Sequence, residues 1–292
     1  STMTVLYIVG FPSLYGGAGA ELYHQVRAWE TLGVVLHFIP TQKNVRKAAL
    51  YGEMTERGHV IHDAYDWAAI PEDAPVISFC NEDFLTALPE IRRRTRRTVF
   101  VNCMTWLFGK EKEAMSRGDI ALFLYQNDKV RQSMAPRLRA INDDPAISFI
   151  TFRPYFDSAA FPYVAGKPPD WVETFHDQKA LSQQEFYRRC HIVLQPTDTT
   201  ENWPRVGFEA MASGSVLIVD KRGGWEQMIE HGRTGWLCES PGDFIAYASK
   251  MAWEPHYRED MAAAARERGL ALGGLGASLE SWRQVFDVIE EL

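Results

Sequence analysis

The chain has 292 residues, more than one ordinary core and about right for two domains of common size. Hydrophobic residues make up 46% and charged residues 24%, the balance of a soluble globular protein, which excludes disorder and fibrous repeats. A formal net charge of -7 excludes the broad basic surface of a nucleic-acid protein, so no nucleic-acid partner is expected and any anion site must be local.

Through the first half, short apolar runs alternate with helical patterns, the signature of a parallel sheet covered by helices. Residues 4–9 (TVLYIV) form the first strand. Residues 21–32 read as a helix, with Leu22, Val26, Trp29 and Leu32 at helical spacing and Gly33 ending it. Further strands are expected at residues 34–39, 75–79, 98–102, 120–125 and 147–152, which completes a Rossmann-like domain over residues 3–152. Arg153-Pro154-Tyr155 is the expected junction. Residues 153–277 repeat the pattern more briefly, with strands at 192–195, 216–219 and 235–237. A helix carried by residues 209–212 begins near Pro204, which suits a first helical turn because its missing N–H would be unpaired there anyway. Residues 278–292 close the chain as a helix whose Leu279, Trp282, Val285, Phe286 and Ile289 form one apolar stripe, read as core packing.

No run approaches the roughly 18 apolar residues of a membrane span, and the N-terminus lacks the pattern of a signal peptide, so a cytoplasmic location is expected. Cys80, Cys103, Cys190 and Cys238 are scattered, with neither a Cys-x-x-Cys pair nor a His at ligand spacing, so neither disulfides nor a zinc site are expected.

The strongest local signal is Glu201-Asn202-Trp203-Pro204-Arg205-Val206-Gly207-Phe208-Glu209-Ala210-Met211-Ala212-Ser213-Gly214, directly after a strand and at the start of a helix. Ligands of open α/β sheets bind outside the carboxyl ends of the strands, and a helix N-terminus offers N–H groups and partial positive charge to a phosphate. Two carboxylates flanking that terminus can accept hydrogen bonds from sugar hydroxyls. The competing reading makes Glu201 a helix cap and Glu209 an ordinary surface residue. A second signal is the glycine-rich stretch Gly16-Gly17-Ala18-Gly19-Ala20-Glu21 after the first strand, either a phosphate-facing loop or a structural turn. It lacks the third glycine of a dinucleotide fingerprint, and the second strand ends in Pro40-Thr41 without the expected acid, which disfavours a nicotinamide enzyme. Arg92, Arg93, Arg94, Arg96 and Arg97 form the dense basic cluster, read as a solvated face with anionic lipid headgroups as the alternative. Trp106 and Trp225 are candidate sugar platforms and His176 a candidate base contact, against a packing role for each.

Glu-x7-Glu, Ala-Met-Ala-Ser-Gly, the strand at 216–219, then Gly223-Gly224-Trp225-Glu226-Gln227-Met228-Ile229 and Gly232-Arg233-Thr234-Gly235-Trp236-Leu237 come in one ordered run. Together they resemble the retaining GT-B glycosyltransferases of family 4, the glycosyl transferases of group 1. The likeness is close over residues 190–240 and architectural elsewhere. It implies an α/β chain of two Rossmann-like domains facing a cleft, the first taking the acceptor and the second a nucleoside diphosphate sugar. It implies that Glu209 holds the ribose hydroxyls, that Glu201 contacts the donor sugar, and that the N–H groups of Arg205 and Val206 face the diphosphate. Gly16 and Gly17 would approach the donor phosphates, and Arg205 would add charge there. Transfer would retain the anomeric configuration, with no metal or cofactor, onto a glycan, lipid-linked or small-molecule hydroxyl; because many members of the family act on lipid-linked acceptors, a peripheral contact of Arg92–Arg97 with the inner membrane face stays open as the alternative to a solvated face. Sugar-nucleotide epimerisation and non-catalytic sugar-nucleotide binding stay open beside it.

Two features depart from the family pattern. The Gly-Arg and Lys that usually grip the diphosphate at the start of the second domain are not found, and two strand-helix units, about 60 residues, are missing between Pro168 and Trp171. Residues 171–175 resemble the third strand of that domain, and loss of two adjoining strands would leave a long unpaired edge, which favours an omitted segment. Asn102-Cys103-Met104-Thr105-Trp106 stands where many relatives place a His facing the donor sugar.

Overall fold

The computed structural model describes residues 3–14, 17–167, 183–197 and 199–292. The chain divides into two compact units, one of Ser1–Tyr155 with Ser278–Leu292, the other of Phe156–Ala277.

The first unit is built on seven parallel strands: β1 (Val5–Val9), β2 (Val35–Ile39), β3 (Val60–Ile61), β4 (Val76–Phe79), β5 (Thr98–Val101), β6 (Leu122–Tyr125) and β7 (Ser148–Thr151), in the order β3-β2-β1-β4-β5-β6-β7. Every residue of β4, β5 and β6 is buried, as the uninterrupted apolar runs of a sheet covered on both faces require. The connecting helices are α1 (Gly17–Thr31), α2 (Leu50–Glu56), α3 (Glu82–Ile91), α4 (Gly109–Arg117) and α5 (Asp128–Arg139). Asparagines at strand ends start two of them: the Asn81 side chain accepts from Phe84 N–H, and Asn127 accepts from Lys129 and Val130 N–H. The two-residue β3 and the short α2 carry too little periodicity to be read from sequence. Helix α1 begins at Gly17, four residues before the expected start, so Gly17 and Gly19 lie in its first turn and not in a loop.

The second unit contains α6 (Gln183–Arg189), β8 (Ile192–Gln195), α7 (Arg205–Ser213), β9 (Val216–Asp220), α8 (Gly224–Met228), β10 (Trp236–Cys238), α9 (Pro241–Trp253) and α10 (Pro255–Gly273). Its described strands form a parallel sheet in the order β10-β9-β8. The proposed strand at 171–175, His176 and the position of the missing segment lie outside the described residues. Helices α9 and α10 were not foreseen. On α10 the apolar residues form no single stripe in sequence, yet Met261, Ala262 and Ala265 are buried.

The chain ends on α11 (Leu275–Glu290), whose Trp282, Val285, Phe286 and Ile289 are buried in the first unit as the stripe predicted. Gln25 of α1 organises that packing. Its Nε2 donates to Tyr155 O at 3.0 Å and to Glu21 Oε1 at 2.9 Å, while its Oε1 accepts from Tyr155 N–H and Trp282 Nε1, both at 3.1 Å. Around this amide, Trp282 packs edge-on to Trp29 at 5.1 Å and against Phe152 at 4.8 Å. One buried side chain therefore fixes both ends of the segment that leaves and re-enters the unit.

The arginine cluster follows α3 but is not a uniformly solvated face. Arg92 Nη1 donates to Arg96 O at 2.6 Å, Arg94 Nε to Ile70 O at 2.5 Å, and Arg97 Nη2 to Glu290 O at 3.1 Å. Burial lowers the pKa of Arg92, and only Arg93 and Arg96 are exposed. These guanidiniums tie loops to the fold, which leaves little of the cluster to meet a headgroup. No described helix is long and apolar enough to cross a membrane.

Gln25→Leu is expected to lower the urea midpoint by the equivalent of about 2–4 kcal/mol, because the buried N–H groups of Tyr155 and Trp282 lose their acceptor. Exposed Thr31→Ala in the same helix should leave the midpoint nearly unchanged, and equal midpoints for the two variants would refute the role given to Gln25.

Candidate functional site

Helix α7 is buried from Gly207 through Ser213. A helix apolar on all sides belongs in an interior, and the single carboxylate within this one must find partners there. Glu209, 2% exposed, has them: Tyr187 donates its hydroxyl to Oε2 at 2.9 Å, and Arg205 donates Nε to Oε1 at 3.2 Å. Burial nevertheless holds the Glu209 pKa above its ordinary value, outweighing the Arg205 charge and both hydrogen bonds. Glu209 is therefore not the surface residue of the competing reading. Nor is Glu201 the cap. That position is taken by Pro204, with extended backbone and no side-chain hydrogen bond, so Pro204 precedes the first helical residue.

Glu201 is half-buried, and burial raises its pKa. Among the described residues its carboxylate has no hydrogen-bond partner, while its carbonyl accepts from Gly224 N–H at 2.7 Å. The loop that carries Glu201 lies directly on Gly223 and Gly224 at the start of α8. A Cβ on Gly223, where φ is +56°, would stand 2.3 Å from Glu201 O, and one on Gly224 would stand 2.0 Å from Asn202 O. The Gly-Gly pair thus lets two backbones touch and fixes where Glu201 sits, a role that spacing in the sequence did not show. Gly207 gives α7 a similar approach to α8, since a Cβ there would meet Met228 at 2.2 Å and Trp225 at 2.9 Å.

Between the two carboxylates, the N–H groups of Arg205 and Val206 stand at the helix start, ahead of the bond from Gly207 N–H to Pro204 O at 3.1 Å. Glu201, Arg205, Val206 and Glu209 all lie in the second unit, on α7 and in the loop that precedes it, and Arg205 and Glu209 are in contact. Partial positive charge at a helix terminus, flanked by hydrogen-bond acceptors, suits a ligand that carries an anion between hydroxyl-bearing ends. Tyr187 was missed because nothing in α6 marks it; only the fold carries it to Glu209. Lys167, also buried, donates to Tyr187 O at 2.6 Å, Cys190 O at 2.8 Å and Ser215 Oγ at 2.9 Å, so its amine serves the fold.

Gly17 belongs to the first unit, and Gly16 lies outside the described residues. Near the α1 start, at the carboxyl ends of β1, β2 and β4, is a pocket of about 140 Å³ lined by Gly10, Phe11, Gly19, Thr41, Gln42 and Asn81. Trp225 is 1% exposed in the core of its unit and is not a sugar platform; Trp106 is 53% exposed. The Asn102 loop is organised from beneath. Asn102 Nδ2 donates to Trp106 O at 3.0 Å and to Glu111 Oε1 at 3.1 Å, and Phe108 N–H donates to the same carboxylate at 3.0 Å. Burial raises the Glu111 pKa to about 7, against the Phe108 and Asn102 hydrogen bonds and the Lys112 charge.

Residues 173–268 match the family model of the glycosyl transferases group 1. The chain is similar, at 29% identity over 91 residues, to a D-inositol 3-phosphate glycosyltransferase of Thermomonospora curvata; the match takes in 30% of this chain and spans about a fifth (21%) of that relative. A Rickettsia africae glycosyltransferase is similar in structure with a TM-score of 0.70 at 10% identity, over 99% of both chains. Anabaena HepE, solved with UDP and glucose, aligns with a TM-score of 0.68 at 10% identity, over 99% of this chain and 100% of that one. The fold is that of the GT-B glycosyltransferases.

Two expectations follow. The folded state takes up a proton on Glu111 between pH 4.5 and about 7, so stability falls as pH rises through that window and the full cost is present above it. With each tenfold change in acidity equal to about 1.4 kcal/mol, Glu111→Gln should gain on the order of 3 kcal/mol above pH 7 and little at pH 4, read from urea midpoints across pH. Gly224→Ala should lower the melting temperature by several degrees through its collision with Asn202, whereas Gly52→Ala in α2, which meets nothing, should not.

Proposed function

We propose that this chain transfers a sugar from a nucleoside diphosphate sugar to an acceptor hydroxyl, with retention at the anomeric carbon. The observation that carries the reading is the pair Glu201 and Glu209 on either side of the α7 N-terminus, within the stretch that matches the group 1 glycosyl transferases. In this reading Glu209 accepts from the ribose hydroxyls and Glu201, whose carboxylate has no other described partner, accepts from hydroxyls of the donor sugar. The N–H groups of Arg205 and Val206, with the Arg205 guanidinium, face the diphosphate.

Departure of the diphosphate builds negative charge, and fixed dipoles aimed at that charge lower the barrier without reorganising. No carboxylate in this arrangement is assigned as a covalent nucleophile. The acceptor oxygen forms its bond to the anomeric carbon on the face from which the diphosphate leaves, and the departing phosphate oxygen takes the acceptor proton. No metal or cofactor is invoked. The acceptor is assigned to the first unit, at the pocket beside Gly10, Thr41 and Asn81. Gly17 and the preceding Gly16 enter only through the family resemblance. UDP is the first nucleotide to try, because it is the one held by Anabaena HepE.

A thermal-shift panel of UDP-, GDP-, ADP- and TDP-sugars should show stabilisation by one base class. Glu209→Gln should lose that shift, and Glu201→Gln should keep nucleotide affinity while losing turnover. An unchanged shift in Glu209→Gln would refute the assignment. Product analysis by NMR should show a new glycoside with the donor's anomeric configuration; an epimerised donor, or binding without any turnover, would instead support one of the two competing activities.

A further inference from the structure

Two of the four cysteines, far apart in the chain, meet at the carboxyl edge of the first unit's sheet. Strands β4 and β5 run parallel with Phe79 paired to Val101, and Cys80 N–H donates to Val101 O at 2.9 Å, so Cys80 leaves β4 beside the exit of β5. Cys80 has a φ of +51°, in the left-handed region that residues other than glycine seldom adopt, and such a conformation lasts only where the surroundings impose it. Its sulfur lies against the β5 exit: Cys103 N–H donates to Cys80 Sγ at 2.9 Å, and the Cys80 thiol reaches Asn102 Oδ1 at 3.9 Å.

That contact suits a covalent bond. By the strand pairing Cys80 stands opposite Asn102, and Cys103 is one residue further on. Ideal spacings of about 4.8 Å across and about 3.3 Å along neighbouring strands put such α-carbons roughly 6 Å apart, inside the range of about 4.4–6.8 Å that a disulfide spans. Both cysteines are partly accessible, whereas Cys190 and Cys238 are buried. A hydrogen bond to Cys80, burial, and the charges at Cys80 and Glu21 all raise the Cys103 pKa, so Cys103 stays a protonated thiol at neutral pH and the first reaction with an oxidant falls to Cys80. Neither thiol has a part in the transfer described above.

We propose that Cys80 and Cys103 form an oxidation site for hydroperoxides, closing to a disulfide that fastens the exit of β4 to the loop from Asn102 to Phe108. The Cys80 thiolate attacks the peroxide oxygen; an S–O bond forms as the O–O bond breaks, leaving a sulfenic acid and releasing an alcohol, or water from hydrogen peroxide itself. The Cys103 sulfur then forms the S–S bond as the S–O bond breaks, and its proton leaves with the hydroxide as water. The two thiols lose two electrons and the peroxide gains them. Cys80 stands between Phe79 and Asn81, which line the pocket of the first unit, so the bridge would fasten one wall of that pocket. The site does not depend on the proposed transfer.

Treatment of the reduced, folded wild-type chain with a small excess of hydrogen peroxide, followed by mass spectrometry and non-reducing peptide mapping, tests this. The expected result is the loss of two hydrogen atoms, a linked pair of peptides carrying Cys80 and Cys103, a fall in the thiol titre of the denatured chain from four to two, and recovery with dithiothreitol. Cys103→Ser should stop Cys80 at a sulfenic acid that dimedone traps, and Cys80→Ser should leave Cys103 unmodified at the same dose. Amide hydrogen exchange across residues 102–108 should slow in the oxidised protein. A bridge to Cys190 or Cys238, a sulfinic acid on Cys80 without a bridge, or an unchanged thiol titre overturns the site. A Cys80–Cys103 bridge with unchanged exchange across 102–108 overturns the fastening of the loop while the site stands.

Discussion

A carboxylate in the middle of a buried helix is the constraint on which the second unit turns. Glu209 cannot be ionised in an apolar interior without donors, and the fold supplies them from two directions, Tyr187 across from α6 and Arg205 one turn earlier on α7. The first of those bonds ties α6 to α7, and Lys167 in turn holds the Tyr187 carbonyl together with Cys190 O and Ser215 Oγ. The two bonds to Glu209 do not neutralise the cost of burial, since the acid remains harder to ionise than a free one.

Close backbone contact is the second organising feature of the unit. Gly207 brings α7 against Trp225 and Met228, and Gly223 with Gly224 brings the start of α8 against the chain at Glu201 and Asn202. The helix that carries Glu209 and the loop that carries Glu201 are thus both referenced to α8. A side chain at any of these glycines would collide with the element packed against it. The same contacts explain Trp225, whose ring is used up as the surface on which α7 rests.

The first unit shows how polar groups can order an apolar architecture. Gln25 satisfies the backbone of Tyr155 and the indole of Trp282 at once, so the departing chain and the returning helix α11 are held by one amide. Around the β5 exit, Asn102 and Glu111 shape the loop that ends at Phe108 from below. Burial raises the Glu111 pKa to about 7, so that loop is held by a group that titrates near neutral pH.

The sequence by itself determined the central strands β4, β5 and β6 most clearly, because a parallel strand buried on both faces must be an unbroken apolar run. It also placed the start of α7 near Pro204, because a strand, a short loop and a helix start are local and leave their mark within one short span of chain. It determined the α11 stripe, whose repeat matches one helix face. Only the tertiary structure decided that Glu209 is enclosed and not on the surface, that Tyr187 and Lys167 belong to its surroundings, and that Trp225 is core. It likewise turned three of the clustered arginines toward backbone carbonyls. Burial and partnership depend on which elements meet, and contacts between residues tens of positions apart leave no periodic trace along the chain. For the same reason β3, α2 and α10 escaped notice: their apolar residues match surfaces made by other elements, and only those surfaces show why they fold as they do.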